Sequence, residues 1–178
     1  MAYIRQIEPA EATGDLAIFY AGLVERAGAV PNIVKLASLT LPAMKAAQDL
    51  YQSVLYNDST LTTVQKEMVA TLVSWINGCA YCVEHHGAAL DDAAGQPGLA
   101  ARVVQHRWED LDPLTTALLA FGEKLTSAPA SMSAQDVETL RSHGLMDKDL
   151  LDLVQLPCYF NYTNRLATAL GVDPEPAR

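Results

Sequence analysis

The segment EMVATLVSWINGCAYCVEHH, residues 67–86, decides the fold class of this chain and the chemistry that it can carry. Its first half places apolar side chains at helical spacing, an Asn-Gly pair interrupts the pattern, and a second helical stretch begins at Cys79. On a helix that turns about 100° per residue, Cys79, Cys82 and His86 fall on one stripe. Two thiols and an imidazole can therefore share one small volume, which is typical of redox chemistry at sulfur.

Apolar residues recur at helical spacing along nearly the whole chain of 178 residues, and long alternation of β-branched and aromatic residues is missing. We therefore expect an all-α fold. We predict a single domain over residues 1–178, with a core that bears the motif over about 42–127 and C-terminal helices over about 133–171. The caps, glycines and prolines predict helices from Thr13 to Ala27, from Pro42 to Asn57, from Thr62 to Asn77, from Cys79 to about Leu90, from Asp112 to about Leu125, from Ser133 to Gly144 and, with a kink at Pro157, from Asp147 to Gly171.

A weak internal repeat is a further expectation for this fold. Three residues of the motif align, at an offset of 82, with three polar residues near the C-terminus: Glu67 with Asp149, Cys79 with Asn161 and Cys82 with Asn164. Either the second half is a degenerate copy that has kept the scaffold and lost the thiols, or the two segments are unrelated helices with similar amphipathicity.

The charge and the hydropathy exclude several classes of function. The formal net charge is -9 and the pI is near 4.7, without a cluster of basic residues that could meet phosphates, so no nucleic-acid partner is expected. No apolar run approaches the roughly 20 residues that span a bilayer, and the first residues lack the apolar run of a signal peptide. We therefore expect a soluble, cytoplasmic protein with reduced thiols and no membrane partner.

Several side chains outside the motif are expected to be buried. Cys158, a lone cysteine, should be buried, because free cysteine is among the most buried residue types. Trp75 lies one turn before Cys79 and could wall an apolar pocket. The buried stripe expected after Thr62 is Val64, Met68, Leu72, Trp75 and Ile76, and the aromatics expected in the core or at an interface are Trp75, Tyr81, Tyr159 and Tyr162.

Sulfur chemistry at neutral pH needs a stabilised thiolate, because an ordinary thiol has a pKa near 8.5. The two cysteines occupy a first helical turn, where unpaired N–H groups and the positive helix end favour an anion. His86 lies about 40° from Cys82 around the helix, on the side of Cys79, and can accept the thiol proton. His85 lies about 60° away on the other side. His86 is therefore the candidate base, and His85 is expected to face solvent or an interface.

Glu67 precedes Cys79 by twelve residues, on the preceding predicted helix. If the chain folds back at the Asn-Gly break, its carboxylate can orient His86 and tune the basicity of the ring. A solvated helix glutamate is the other interpretation that this spacing allows.

The spacing of Glu67, eleven residues, Cys79-x-x-Cys82, three residues and His86 resembles the E-x11-C-x-x-C-x3-H signature of the alkylhydroperoxidase D (AhpD-like) proteins, in the carboxymuconolactone decarboxylase superfamily. Residues 11–31 and 164–173 also resemble its peroxidase-related subfamily, so most of the chain is covered. The resemblance implies an AhpD-like helical domain and a symmetric homo-oligomer, whether dimer, trimer or hexamer.

The resemblance also implies the activity of a thiol-dependent peroxidase. Carried onto this chain, Cys82 attacks a small hydroperoxide, Cys79 resolves the sulfenic acid as a disulfide, and His86 with Glu67 relays the proton. An external dithiol, for example one of lipoyl type, restores the pair. This cycle requires no metal, flavin or haem cofactor.

Tyr81 departs from the pattern of some alkylhydroperoxidases, which carry a histidine between the two cysteines. A tyrosine hydroxyl, with a pKa near 10, is a poor proton acceptor at neutral pH. General dithiol–disulfide exchange on the same fold is therefore the alternative activity.

Three other functions compete with redox chemistry. Two thiolates, His86 and Glu67 could bind zinc, although structural zinc sites more often draw on two separated ligand pairs. A decarboxylase that acts on a lactone acid belongs to the same superfamily, but it has no need for vicinal thiols. In a non-enzymatic helical oligomer, the cysteines would only be small buried residues.

Overall fold

Helices account for all the regular secondary structure in residues 2–175, the part of the chain that the computed structural model describes. This confirms the predicted all-α fold. The helices are α1 (Gly14–Ala27), α2 (Asn32–Leu36), α3 (Leu41–Leu55), α4 (Thr63–Ile76), α5 (Ala80–Ala94), α6 (Leu99–Val104), α7 (Pro113–Ser127), α8 (Ala134–Ser142) and α9 (Asp147–Leu170), with a short 3-10 turn at Pro129–Ser131.

Two of the predicted helix starts carry the capping interactions that their sequences suggest. The Thr62 hydroxyl accepts the backbone N–H of Gln65, whose side chain accepts the N–H of Thr62 in return. At α7 the Asp112 carboxylate accepts the N–H of Thr115, and a proline directly follows Asp112 in the first turn. These caps satisfy donors that would otherwise lack a partner at a helix N-terminus.

The segment after the motif contains more helix than the sequence predicted. α5 continues to Ala94, beyond the predicted end near Leu90, and Gly95 then stops it in the left-handed conformation with φ 61°. α6 was not predicted. Its start is stabilised by a residue of α5, because the Asp91 carboxylate accepts hydrogen bonds from the backbone N–H groups of Gly98 and Ala100.

The described residues fall into two compact units, and residues Tyr51–Arg165 form the larger one. Within it, α4 packs against α5, α6 and α7. Every residue from Lys66 to Ser74 is buried, so α4 is enclosed on nearly all sides rather than along one stripe. Trp75 was predicted to belong to the buried stripe of this helix, and that prediction was wrong. The side chain lies in the last turn of α4, where the helix leaves the core, and it is 53% exposed.

The other unit comprises the residues up to Leu50 together with those from Leu166 onward. Its apolar core is Leu16, Tyr20, Leu23, Val30, Val34 and Met44. The Asn32 side chain ties its two segments together by donating to the carbonyl oxygens of Asp173 and Pro174. A single domain over residues 1–178 stays a prediction, and residues 1 and 176–178 lie outside the described part of the chain.

α9 contains Pro157 and continues beyond it to Leu170. The segment from Asp149 to Asn164 lies within one helix, whereas the aligned residues 67–82 are divided between α4 and α5, so the internal repeat stays a hypothesis. Cys158 is exposed, and the prediction that it is buried was wrong. Its neighbours Leu156 and Phe160 occupy the buried face, which turns Cys158 outward.

None of the helices in residues 2–175 combines the length and the apolar character that crossing a bilayer requires.

Candidate active site

The two motif cysteines meet at the start of α5, where the chain turns out of α4. Gly78 makes this turn in the left-handed conformation with φ 69°, which glycine adopts at little cost. Cys79 is the N-cap residue of α5, and Cys82 follows in the first turn. The two sulfurs are 2.8 Å apart, and the Cys79 thiol donates a hydrogen bond to the sulfur of Cys82. Both residues are buried, so the dithiol is shielded from bulk water.

The proton affinity of Cys82 differs from the sequence-based expectation of a stabilised thiolate. Its pKa is raised above the ordinary value, first by the hydrogen bond with Cys79, then by burial, and then by the charge that Cys79 would carry. Two adjacent buried thiols cannot both ionise near neutral pH, because the second negative charge would face the first. A hydrogen bond from Asn164 acts in the opposite direction and lowers the pKa.

Glu67 and His86 form a buried pair beside the dithiol. Glu67 projects from α4 and His86 from α5, and the Glu67 Oε2 to His86 Nδ1 distance is 2.8 Å. The side chains are only 5% and 7% exposed. Because an ionised carboxylate can only accept, Nδ1 carries the shared proton and Nε2 remains as the nitrogen that can exchange protons with a substrate or a thiol. The geometric prediction that Glu67 reaches His86 is thus realised.

Aromatic rings surround this imidazole. Phe160 packs edge-on against the His86 ring at a centroid distance of 4.6 Å, and Tyr51 lies at 6.3 Å. Burial raises the pKa of Tyr51 and of Tyr159, and the charge on Cys82 raises that of Tyr159 further. Both phenols therefore stay protonated at neutral pH. The surroundings of the imidazole are apolar, with hydroxyl groups that can donate hydrogen bonds.

The four predicted site residues assemble as two contacting pairs. Cys79 contacts Cys82, and Glu67 contacts His86, but no hydrogen bond joins His86 to Cys82 within residues 2–175. A proton transfer between the pairs therefore requires a bridging group or a shift of the ring. His85 is exposed, as expected, and its ring lies edge-on to His86 at 5.0 Å.

Asn164 is a residue of the site that sequence reasoning missed. It lies on α9, is fully buried and donates to the Ser74 hydroxyl at 3.1 Å, and a hydrogen bond with its side chain is the influence that lowers the pKa of Cys82. The one signal in the sequence was the alignment at an offset of 82, which set Asn164 opposite Cys82 for a different reason.

A metal centre was one alternative for this cluster. In the part of the chain that the structure describes, no three His, Cys, Asp or Glu side chains are arranged to hold a metal ion. His86 directs Nδ1 to Glu67 instead, which leaves the imidazole and the carboxylate bonded to each other.

Known proteins are similar to this chain in both sequence and fold. The model of the carboxymuconolactone decarboxylase family matches residues 42–121. A peroxidase-related protein of uncharacterised function from Silicibacter sp. TM1040 is 32% identical, with a TM-score of 0.88 over 98% of this chain and 92% of that one. The alkylhydroperoxidase AhpD core protein from Ralstonia eutropha JMP134, also peroxidase-related and uncharacterised, is 28% identical, with a TM-score of 0.88 over the same shares.

A further relative is similar in sequence over about two thirds of the chain. The uncharacterised protein YdfG of Bacillus subtilis (strain 168) is 27% identical over 118 residues, which is 64% of this chain and 78% of that protein. The helical fold and the dithiol beside a His–Glu pair thus define an AhpD-like helical protein. The chain belongs to the carboxymuconolactone decarboxylase family.

Proposed function

We propose that this protein reduces small hydroperoxides with the Cys79–Cys82 dithiol, assisted by His86 and Glu67. The observation that carries the proposal is the 2.8 Å sulfur–sulfur contact next to the buried His–Glu pair. Close thiols allow a sulfenic acid to be resolved at once, and a histidine paired with a carboxylate can take up and return a proton. The peroxidase-related relatives support the same activity.

The first step oxidises Cys82. Its thiolate, formed by proton transfer towards Nε2 of His86, attacks the outer oxygen of the hydroperoxide, so that an S–O bond forms and the O–O bond breaks. The alkoxide leaves and takes the proton from the imidazolium, which yields an alcohol and the sulfenic acid of Cys82. Glu67 stabilises the transient imidazolium through Nδ1.

The second step forms the disulfide and regenerates the dithiol. The Cys79 sulfur attacks the sulfenic sulfur of Cys82, an S–S bond forms, and water leaves with the Cys79 proton. An external dithiol then reduces the disulfide by two successive exchanges: the first forms a mixed disulfide with the protein, and the second releases the reductant as a cyclic disulfide and regenerates both protein thiols. We propose a small dithiol of lipoyl type as this reductant, since both sulfurs are buried.

Dithiol–disulfide exchange without a peroxide is the second candidate. Tyr81 is the observation that favours it, since a phenol between the cysteines cannot replace a histidine as a proton acceptor at neutral pH. Both activities use the same pair of sulfurs, and they differ in whether a hydroperoxide or a partner disulfide oxidises it.

The test compares hydroperoxide consumption by the reduced protein and by two single variants, with dihydrolipoamide as the reductant. Cys82→Ser should abolish consumption, and Cys79→Ser should slow it, because dihydrolipoamide must then attack the sulfenic acid in place of Cys79. Cys158→Ser is the matched control, because this cysteine is exposed and lies outside the site. Consumption by Cys82→Ser at the wild-type rate would refute the proposal. Exchange of a partner disulfide without consumption of hydroperoxide would favour the second candidate.

A further inference from the structure

A chain of side-chain amides reaches the dithiol from α9. Asn164 is fully buried, although a buried amide is costly unless its hydrogen-bonding groups are satisfied. Its Nδ2 donates to the Ser74 hydroxyl at 3.1 Å, and its side chain also hydrogen-bonds Cys82. The mechanism above makes no use of this residue.

The network fixes which end of the Asn164 amide faces the sulfur. The Arg165 guanidinium can only donate, and its Nη1 lies 2.7 Å from Oδ1 of Asn161, which identifies that atom as the oxygen. Asn77 must then present its Nδ2 to Asn161 at 3.0 Å, and the same nitrogen donates to Oδ1 of Asn164, also at 3.0 Å. With its oxygen occupied in this way, Asn164 turns its N–H groups to Ser74 and Cys82.

We propose that Asn164 is a catalytic residue of the dithiol site: its side-chain N–H donates to the Cys82 sulfur and stabilises the thiolate that attacks the substrate. This inference rests on the proposed function for its purpose. The hydrogen bond itself is a property of the folded protein and does not depend on the oxidant. Asn77 and Asn161 are positioning residues, because they act on the sulfur only through Asn164.

An amide suits this position for a physical reason. A hydrogen bond to an ionised acceptor is roughly twice as strong as one between neutral groups, so the N–H favours the thiolate over the thiol. Unlike a lysine or a histidine, the amide carries no proton that it can lose, and it brings no charge into a buried site. Among the named influences on Cys82, Asn164 alone lowers the pKa, whereas burial and Cys79 raise it.

A purely structural role is the competing explanation, since Asn164 also joins α9 to Ser74 of α4. The two roles predict different pH profiles. A structural asparagine would change stability and leave the ionisation of Cys82 alone, whereas a donor to the sulfur sets that ionisation directly.

The experiment measures the rate of iodoacetamide alkylation against pH in a protein whose only thiol is Cys82, made with Cys79→Ser and Cys158→Ser. In this background Asn164→Ala should raise the apparent pKa of Cys82 by about one unit, a tenfold loss of thiolate at neutral pH. Asn164→Asp is nearly isosteric and should raise it further, because a carboxylate accepts instead of donating and repels the thiolate. Asn32→Ala is the matched control, since this buried asparagine bonds to residues 173–175 and should leave the pKa unchanged.

An unchanged pKa in folded Asn164→Ala and Asn164→Asp overturns the proposal. Circular dichroism and thermal melting establish that each variant is folded. If neither folds, Asn77→Ala decides: loss of the bond that orients Asn164 should raise the pKa by part of the same amount, and no change overturns the proposal. Alkylation needs no peroxide, so a shifted pKa in a protein without peroxidase activity would contradict the proposed function and leave the role of Asn164 standing.

Discussion

The buried pair of Glu67 and His86 shows why one carboxylate of an acidic chain is withdrawn from water. Burying an ionised carboxylate costs several kcal/mol unless a partner compensates it, and the 2.8 Å contact with Nδ1 provides that partner. A second pair offers a natural comparison, because Glu123 and His106 lie at a similar distance, 3.0 Å, but their side chains are 36% and 47% exposed. Burial rather than distance distinguishes the Glu67–His86 pair from the Glu123–His106 pair.

Glu67→Gln tests the relay at the level of one residue. Glutamine can still accept the Nδ1 hydrogen, but without a negative charge it stabilises the imidazolium less, so the rate of hydroperoxide consumption should fall by about a hundredfold. Glu123→Gln, at the exposed pair, should leave the rate unchanged. The measurement is the initial rate with excess dihydrolipoamide, and equal rates for the two variants would remove Glu67 from the mechanism.

The raised pKa of Cys82 predicts the pH dependence of its reactivity. A thiol whose pKa is raised binds its proton more tightly, so the thiolate fraction keeps growing as the pH rises beyond the pKa of an ordinary thiol. Alkylation of Cys82, followed by peptide mass spectrometry, should therefore still accelerate above pH 9 in the wild-type protein. Cys79→Ser removes the negative charge that a second thiolate would carry, so the rise of the alkylation rate of Cys82 should move to lower pH. A wild-type profile that levels off near neutral pH would show that the thiolate is stabilised after all.

Four candidate residues of the site could be named from the sequence because one short segment carries them, and the structure brings them together as two contacting pairs. Cys79, Cys82 and His86 follow from helical periodicity, and Glu67 needed only one reversal at the Asn-Gly break. Asn164 could not be inferred, because no spacing rule relates a residue on α9 to a sulfur on α5. The exposure of Trp75 and of Cys158 was missed for the same reason: it depends on which faces the neighbouring helices cover.

Among the helices, α4 determines how closely its neighbours approach. Its residues Lys66 to Ser74 are buried, and α7 comes close to it at Gly122. A Cβ at Gly122 would lie 3.3 Å from the Cγ1 atom of Val69, which is tighter than ordinary contact. The absence of a side chain at this position therefore allows the close packing of α4 and α7, and α4 also carries Glu67.

Gly122→Val should destabilise the protein because the added side chain overpacks this contact. The expected loss is about 1–3 kcal/mol in the free energy of unfolding, measured by urea denaturation. Gly22→Ala is the matched control on α1, where a Cβ meets Arg26 at an ordinary 3.6 Å. It should stabilise the protein by about 0.5 kcal/mol through helix propensity. Equal effects of both substitutions would contradict the close packing.

The helices were predictable where their ends are encoded locally. Thr62 and Asp112 are caps that the sequence shows directly, and both are confirmed. The helix α6 could not be predicted in this way. Its start depends on hydrogen bonds that the Asp91 carboxylate, several residues earlier, accepts from backbone N–H groups. The enclosure of α4 likewise depends on three other helices, and a single amphipathic stripe was the wrong expectation.

For the whole molecule, we propose a symmetric homo-oligomer. The outward stripe of α9 carries Leu151 and Tyr162, which are 59% and 49% exposed, together with Cys158. Exposed apolar side chains on one stripe are typical of a protein interface. Light scattering should give a mass that is a multiple of 19.2 kDa, and Leu151→Lys should reduce it. A mass of 19.2 kDa for the wild-type protein would exclude the oligomer.

A fold does not determine an activity, so the redox chemistry of the dithiol has to be tested on the molecule itself. The most direct measurement is a single turnover: the fully reduced protein receives one equivalent of an alkyl hydroperoxide, and the products are analysed by thiol titration and peptide mass spectrometry. We expect each hydroperoxide consumed to remove two thiols and to form one Cys79–Cys82 disulfide, with Cys158 still reduced. Unreacted thiols, or oxidation at Cys158 alone, would contradict it.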